Sequence, residues 1–499
     1  MSNANGSNQI QLITYVDRLS GGTIKDLQQL LQHELAGLFD GVHLLPFYPP
    51  IDGEDAGFDP TDHTAVDSRL GSWQDIGALA QHHSIMADMI VNHMSAQSAQ
   101  FQDVLEKGEA SPFWPLFLTR DKVFGAEPHP EQLQAIYRPR PTSCFTELSL
   151  NDGRSLPFWT TFTANQIDID VHSEPGQAYL DAILQRFTEH GVNYIRLDAA
   201  GYAIKKAGTS CFMLPETFEF IAELSAKAKV LGMQSLVEIH GYHQTQIDIA
   251  KRCDLVYDFA LPPLVLHTLF RRDAKALKHW LDIAPRNCIT VLDTHDGIGI
   301  VDAADHQGQP GLLTDPELDA LVEQIHHNSG GSSKLATGSA ANNVDLYQVN
   351  CSFYDALAQH DEHYLLARAI QLFCPGICQI YYGGLLAAQN DVDLLKRTQV
   401  GRDINRPYYT TEKVRQALQK PVVKALCALI KLRRSLQAFD GEFSQSLTDS
   451  QYQLHWQHQG HSASLHIQLQ SLAAELVWQH SGQAQQQRTL SSLLADEAP

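Results

Sequence analysis

Three short apolar runs carry a carboxylate near their far end. These are Tyr194-Ile195-Arg196-Leu197-Asp198, Leu236-Val237-Glu238-Ile239-His240 and Leu292-Asp293-Thr294-His295-Asp296. A fourth run, Asp88-Met89-Ile90-Val91-Asn92-His93, closes on Asn-His. Alternate residues of a strand face the same way, so Arg196 shares a face with Asp198, and Glu238 with His240. An arginine beside Asp198 favours its charged form and lowers its pKa, which suits a nucleophile. A carboxyl at an apolar strand end near other acids is raised instead, which suits Glu238 as acid/base. One ionised and one protonated carboxyl is the requirement of retaining glycoside chemistry. Asp296 would then hold sugar hydroxyls and stabilise the oxocarbenium-like transition state. Two plainer readings fit the same acids. They could close the strand ends as an ion-pair network, or bind Mg²⁺ with His93, His240 and His295 as further candidate ligands. No H-x-H or H-E-x-x-H spacing occurs, so no metal is expected. Neither glycine-rich phosphate motif is present, so no nucleotide cofactor is expected.

The elements that must hold these residues are legible as eight apolar runs. They are Leu12–Tyr15, Gly41–Phe47, Ile85–Asn92, Val192–Asp198, Ser235–Ile239, Leu255–Phe259, Ile289–Asp293 and Ile377–Tyr382. Amphipathic stretches lie between several of them. Ala178–Glu189 puts Ile183, Leu184 and Phe187 on one stripe, and Pro215–Leu231 does so with Phe218, Ile221, Leu224 and Ala228. The alternation predicts an α/β fold, a (β/α)₈ TIM barrel whose site forms at the C-terminal strand ends. A bare barrel takes roughly 250 residues, and this chain has 499. The barrel is placed at residues 1–91, 173–297 and 359–438. Residues 92–172 form one inserted domain and 298–358 a second, loop-rich one. Within the second, Asn328–Asn343 is heavy in Gly, Ser, Ala and Asn and reads as a lid or loop. Residues 439–499 alternate apolar and polar and predict a small antiparallel β domain.

Lys and Arg number 36 against 57 Asp and Glu, a net charge of −21. Such a surface repels phosphate backbones and anionic membranes. No nucleic-acid or membrane partner is expected, and no run approaches the ~20 apolar residues of a membrane span. Met1–Gln9 is polar and does not read as a signal peptide. The eight cysteines sit in or beside apolar runs and read as buried free thiols of a reducing cytosol.

Asp88-x-x-x-Asn92-His93, Arg196-x-Asp198, Glu238 and His295-Asp296 resemble, in order, the four signature regions of the α-amylase superfamily. Gln11–Leu19, Asp55-Ala-Gly-Phe-Asp-Pro60, Ile136–Pro141, Ala207–Phe212, Val291–Ile298 and Gly401–Arg406 are similar to the sucrose phosphorylase family within it. The likeness runs from about residue 10 to about 435. It implies Asp198 as nucleophile, Glu238 as general acid/base and Asp296 as transition-state stabiliser. It implies a glucosyl site of Asp55, Phe58, His93, Phe162, Gln166, Arg196, His295 and Arg402. Asp55 and Arg402 would close that site around the far hydroxyls, with Phe162 as an apolar platform for the ring-oxygen cation. It places Tyr137, Pro139, Arg140, Tyr202, His240, Val344, Tyr347 and Gln348 on the acceptor and phosphate side, partly on two mobile loops. The implied partners are sucrose, inorganic phosphate, glucose 1-phosphate and fructose. No cofactor, a cytoplasmic location and a homodimer are implied as well. Related phosphorylases of sucrose 6′-phosphate, glucosylglycerol or glucosylglycerate are the alternatives.

Overall fold

The computed structural model describes residues 8–53, 55–125, 127–138, 143–337 and 347–495. Eight parallel strands close into a barrel. They are β1 (Ile10–Thr14), β2 (Gly41–Leu44), β3 (Ser84–Ile90), β4 (Val192–Asp198), β5 (Gln234–Val237), β6 (Leu255–Asp258), β7 (Cys288–Thr290) and β8 (Ile377–Tyr381). Each falls within or overlaps one of the eight apolar runs. Closure comes from β1 pairing with both β2 and β8, with Ile10 opposite Cys378 and Gln11 opposite Gly41. Parallel strands covered on both faces need apolar residues at nearly every position. Accordingly, all five residues of β1 and all five of β8 are buried.

Helices follow the strands and pack outside them. Glu174–Glu189 starts at Ser173, whose hydroxyl accepts from the Gly176 amide, and buries Ile183, Leu184 and Phe187 as its periodicity requires. Pro215–Val230 buries Phe220, Ile221, Leu224 and Ala228. Phe218, expected on that stripe, lies at its edge, 5.0 Å beneath the Arg252 guanidinium. Phe220 takes the inward place because it continues the i, i+4 row to Leu224.

Between β3 and β4 the chain forms two small antiparallel pairs, His93–Ser95 with Gln166–Asp168 and Phe145–Ser149 with Ser155–Trp159. Between β7 and β8 the structure is more helical than the composition suggests. Asp315–Asn328 is a 14-residue helix started by a Thr314–Glu317 capping box, and Ser332–Thr337 is helical too. Residues 338–346 of the Gly/Ser-rich stretch lie outside the described residues. The C-terminal residues make a five-stranded antiparallel sheet. Leu454, Leu465 and Leu476 align across it, and Trp456 donates its indole N–H to the Phe373 carbonyl of the barrel at 2.8 Å. All eight cysteines are free, and six of them are buried. Among the described residues no helix is long and apolar enough to cross a membrane.

Candidate active site

A pocket opens at the C-terminal strand ends, where the sites of this fold form. Asp198, Glu238 and Asp296 meet there from the ends of β4, β5 and the loop after β7. Asp55, Phe58, His93, Phe162, Gln166, His295 and Arg402 complete the wall, with Tyr202 and Tyr347 on the same pocket. Pro139, Arg140 and Val344 lie outside the described residues.

The walls are set by the backbone. The β3–β4 register places Asp88 opposite Arg196 and Ile90 opposite Asp198. The Glu238 amide donates to the Leu197 carbonyl at 3.3 Å, extending the β4–β5 ladder one residue past β5. The loop bearing Asp296 is held from behind. Asn405 donates its amide to the carbonyls of Thr294 and Asp296, at 3.2 and 2.8 Å, and Arg406 donates to that of His295 at 2.8 Å. Aromatic rings fix the remaining side chains. Phe58 stacks on His295 with centroids 4.9 Å apart, and Phe162 meets His93 edge-on at 5.4 Å and Tyr202 at 5.1 Å. His93 bonds the Phe58 carbonyl at 2.9 Å.

Arg196 lies behind the wall. Its Nη1 donates to Asp198 at 2.8 Å and also to Asp88. His43 bonds the other Asp88 oxygen at 3.0 Å. Asp88 therefore holds its charge, pulled down to about 2 by Arg196 and His43 against full burial. Asp198 behaves otherwise than its arginine neighbour alone predicts. Burial pushes its carboxyl well above the ordinary range, and the negative charges of Glu238, Asp88 and Asp296 push the same way. The pull of Arg196 is divided between two acids, and the total does not offset desolvation. Asp296 is the reverse case. Burial would raise it, but the Arg402 and Arg406 guanidiniums hold it far below the usual carboxylate range. Arg402 Nη1 stands 2.7 Å from its Oδ1. Burial drives His295 down to about 3, so its ring is neutral.

His240 and Gln348 sit one layer back, both buried. Tyr137 stacks on Phe212 at 4.6 Å, next to Tyr202. Glu238, His240 and Asp296 could offer a cation one atom each within 4.8 Å of one another. Both ring nitrogens of His240 already have protein partners. His240 bonds Asp302 at 2.8 Å and Gln348 at 2.9 Å, and Asp296 faces Arg402.

Sequence spacing missed several contributors. Lys205 is buried against Asp168 at 2.7 Å and Asn92 at 2.8 Å, tying the β3 and β4 loops together. Asn405 and Arg406 stand beside the matched Arg402, yet their role appears only through the loop they hold. Asp88 was in view as the start of a signature region, but its bond to Arg196 follows only from the parallel register.

A closed eight-stranded barrel with three acids at its C-terminal strand ends defines a class of glycoside-active enzymes. The family model described as Alpha amylase, catalytic domain, matches residues 5–261. The chain is 58% identical over 444 residues to a sucrose phosphorylase of Agrobacterium vitis, covering 89% of this chain and 91% of that one. It is 52% identical to a sucrose phosphorylase of Bifidobacterium adolescentis, covering 89% and 88%. A crystal structure of sucrose 6F-phosphate phosphorylase from Thermoanaerobacter thermosaccharolyticum superposes with a TM-score of 0.91 at 34% identity, covering 98% of this chain and 99% of that one. The chain belongs to the α-amylase superfamily and, within it, to the sucrose phosphorylase family.

Proposed function

We propose that this chain catalyses the reversible phosphorolysis of sucrose to α-D-glucose 1-phosphate and fructose. The observation that carries the reading is the convergence of Asp198, Glu238 and Asp296 in one pocket of a chain 58% identical to a sucrose phosphorylase. Retaining glycoside chemistry needs one proton on this carboxyl pair. The productive form has Asp198 ionised against Arg196 and Glu238 protonated.

Asp198 attacks the anomeric carbon while Glu238 gives its proton to the fructosyl oxygen, which leaves. Phosphate then attacks the opposite face of the β-glucosyl ester, with Glu238 as general base, and Asp198 departs. Two inversions give net retention. Asp296, kept ionised, stabilises the oxocarbenium-like charge, and Phe162 offers its ring face to it. Asp55 and Arg402 take the far sugar hydroxyls. Tyr202, Tyr347, Gln348, His240, Tyr137 and the loop residues Pro139, Arg140 and Val344 form the acceptor side. In this reading residues 92–172 and 298–358 are insertions that wall the pocket of the barrel. A cytoplasmic location, suited to eight free cysteines, and a homodimer complete the proposal.

The related phosphorylase reactions form the second reading, favoured by the TM-score of 0.91 to an enzyme for sucrose 6F-phosphate. A panel of sucrose, sucrose 6′-phosphate, glucosylglycerol and glucosylglycerate, each with and without phosphate, decides between them. Phosphate-dependent glucose 1-phosphate from sucrose is expected. Glucose as the main product, or turnover confined to another glucoside, overturns the reading.

A further inference from the structure

We propose that Asp302 is a positioning residue that fixes the tautomer of His240 and lets it become a cation when phosphate enters, so that phosphate is preferred to water as acceptor. The inference rests on the phosphorolysis reading above.

Asp302 is fully buried and accepts three hydrogen bonds. They come from His240 Nδ1 at 2.8 Å, the Gly241 amide at 3.0 Å and Gln246 Nε2 at 3.0 Å. Every hydrogen bond to its carboxyl thus comes from a donor on the protein. The approach is close enough to dictate a neighbouring residue. A Cβ on Gly299 would lie 2.2 Å from the Asp302 carboxylate and 3.2 Å from His240 Nδ1. The His240 ring is also clamped from its face by Phe259, with stacked centroids 3.7 Å apart. It cannot turn, so Nδ1 always faces Asp302 and Nε2 the other way.

Without substrate, Nε2 is an acceptor. Gln348 donates its amide N–H to it at 2.9 Å, while the Gln348 carbonyl takes the Gly297 amide at 3.2 Å. This pattern fits neutral His240 carrying its proton on Nδ1. A second proton on Nε2 would convert it to a donor and release the Gln348 amide, giving phosphate two donors at once. The ionisable groups facing the ring are Asp302, Glu238, Asp296 and the Tyr347 phenol. Burial opposes the cation, but the carboxylates outweigh it and raise the His240 pKa. Phosphate supplies the charge that balances the new proton, whereas water does not.

The test compares wild type with Asp302→Asn, which keeps the shape and removes the charge. The KM for inorganic phosphate should rise about tenfold near neutral pH, with the KM for sucrose and the rate of glucose release to water within about twofold. The alkaline limb of kcat/KM for phosphate should move down by about one pH unit. His240→Asn, a smaller packing change, should abolish that limb. Equal losses with phosphate and water, an unmoved limb in Asp302→Asn, or a limb that persists in His240→Asn overturns the proposal. A wild type without phosphate-dependent turnover instead overturns the functional reading beneath it.

Discussion

Asp88 and Asp198 are held by one nitrogen, the Nη1 of Arg196, which donates to both carboxylates. One buried cation thus serves two buried acids, and the nucleophile candidate keeps only part of it. Asp198→Asn should abolish glucosyl transfer, lowering the rate by at least about 10³-fold. Its melting temperature should equal or exceed that of wild type, because a costly buried charge is gone. Glucose 1-phosphate formation and calorimetry check the two halves. Near-normal turnover would remove Asp198 from the mechanism.

Glu238 adds to the upward push on Asp198 that burial begins. In the productive form its own proton goes to the fructosyl oxygen, so Glu238→Gln should slow sucrose turnover by at least about 10²-fold. α-Glucosyl fluoride, whose leaving group needs no proton, should lose less than about tenfold in the rate of glucosyl transfer to Asp198. Equal losses with both substrates would remove Glu238 from the acid role.

Asp258, at the end of β6, is buried and raised to about 7 by desolvation, although Trp280 and the Leu261 amide both donate to its Oδ1. Its folded pKa lies above the unfolded value. Between about pH 4 and 7 the folded state therefore holds a proton that the unfolded state lacks, and stability falls as pH rises. The shift from 3.8 to about 7 sets an upper bound of roughly 4 kcal/mol. Asp258→Asn keeps both hydrogen bonds and should stabilise the protein most above about pH 7, with the gain shrinking toward about pH 4. Urea midpoints across that range test it, and a gain independent of pH would count against it.

Lys205 and Lys206 make adjacent ion pairs of opposite worth. Lys205 is 1% exposed against Asp168, and Lys206 is 58% exposed against Glu216. Lys205→Met leaves Asp168 charged and buried and should cost about 3–5 kcal/mol. Lys206→Met should cost less than about 1 kcal/mol. Denaturant titration of both variants distinguishes them.

The net charge of −21 acts at longer range. It repels the phosphate anion on approach and leaves neutral sucrose unaffected. Raising ionic strength should therefore lower the KM for phosphate and leave that for sucrose unchanged. A rise would mean that the pocket cations dominate the field.

The barrel strands were readable because each is apolar at nearly every position, a pattern that local sequence records directly. The pocket wall was readable where residues lie in motifs, as at Arg196-x-Asp198. Asp302 was not, because it reaches His240 across 62 residues and two loops, and no spacing encodes that contact. The Asp198 direction was misjudged for a related reason. Its sequence neighbour Arg196 is visible, but the rival Asp88 arrives only through the β3–β4 register. The helix Asp315–Asn328 was obscured by the polar stretch that follows it, although Thr314 and Glu317 mark its start.

Barrel closure ties β1 to β8, so the chain's beginning depends on residues near position 380. During synthesis, Asp55, Asp198, Glu238 and Asp296 all leave the ribosome before β8 and Arg402 do. Until then the sheet has two open edges, and Asp296 lacks the guanidinium that keeps it charged. A truncated nascent chain is therefore an unfinished sheet with a repelling cluster of acids, exposed to chaperones and proteases. The catalytic centre is complete only once the end of the barrel meets its start.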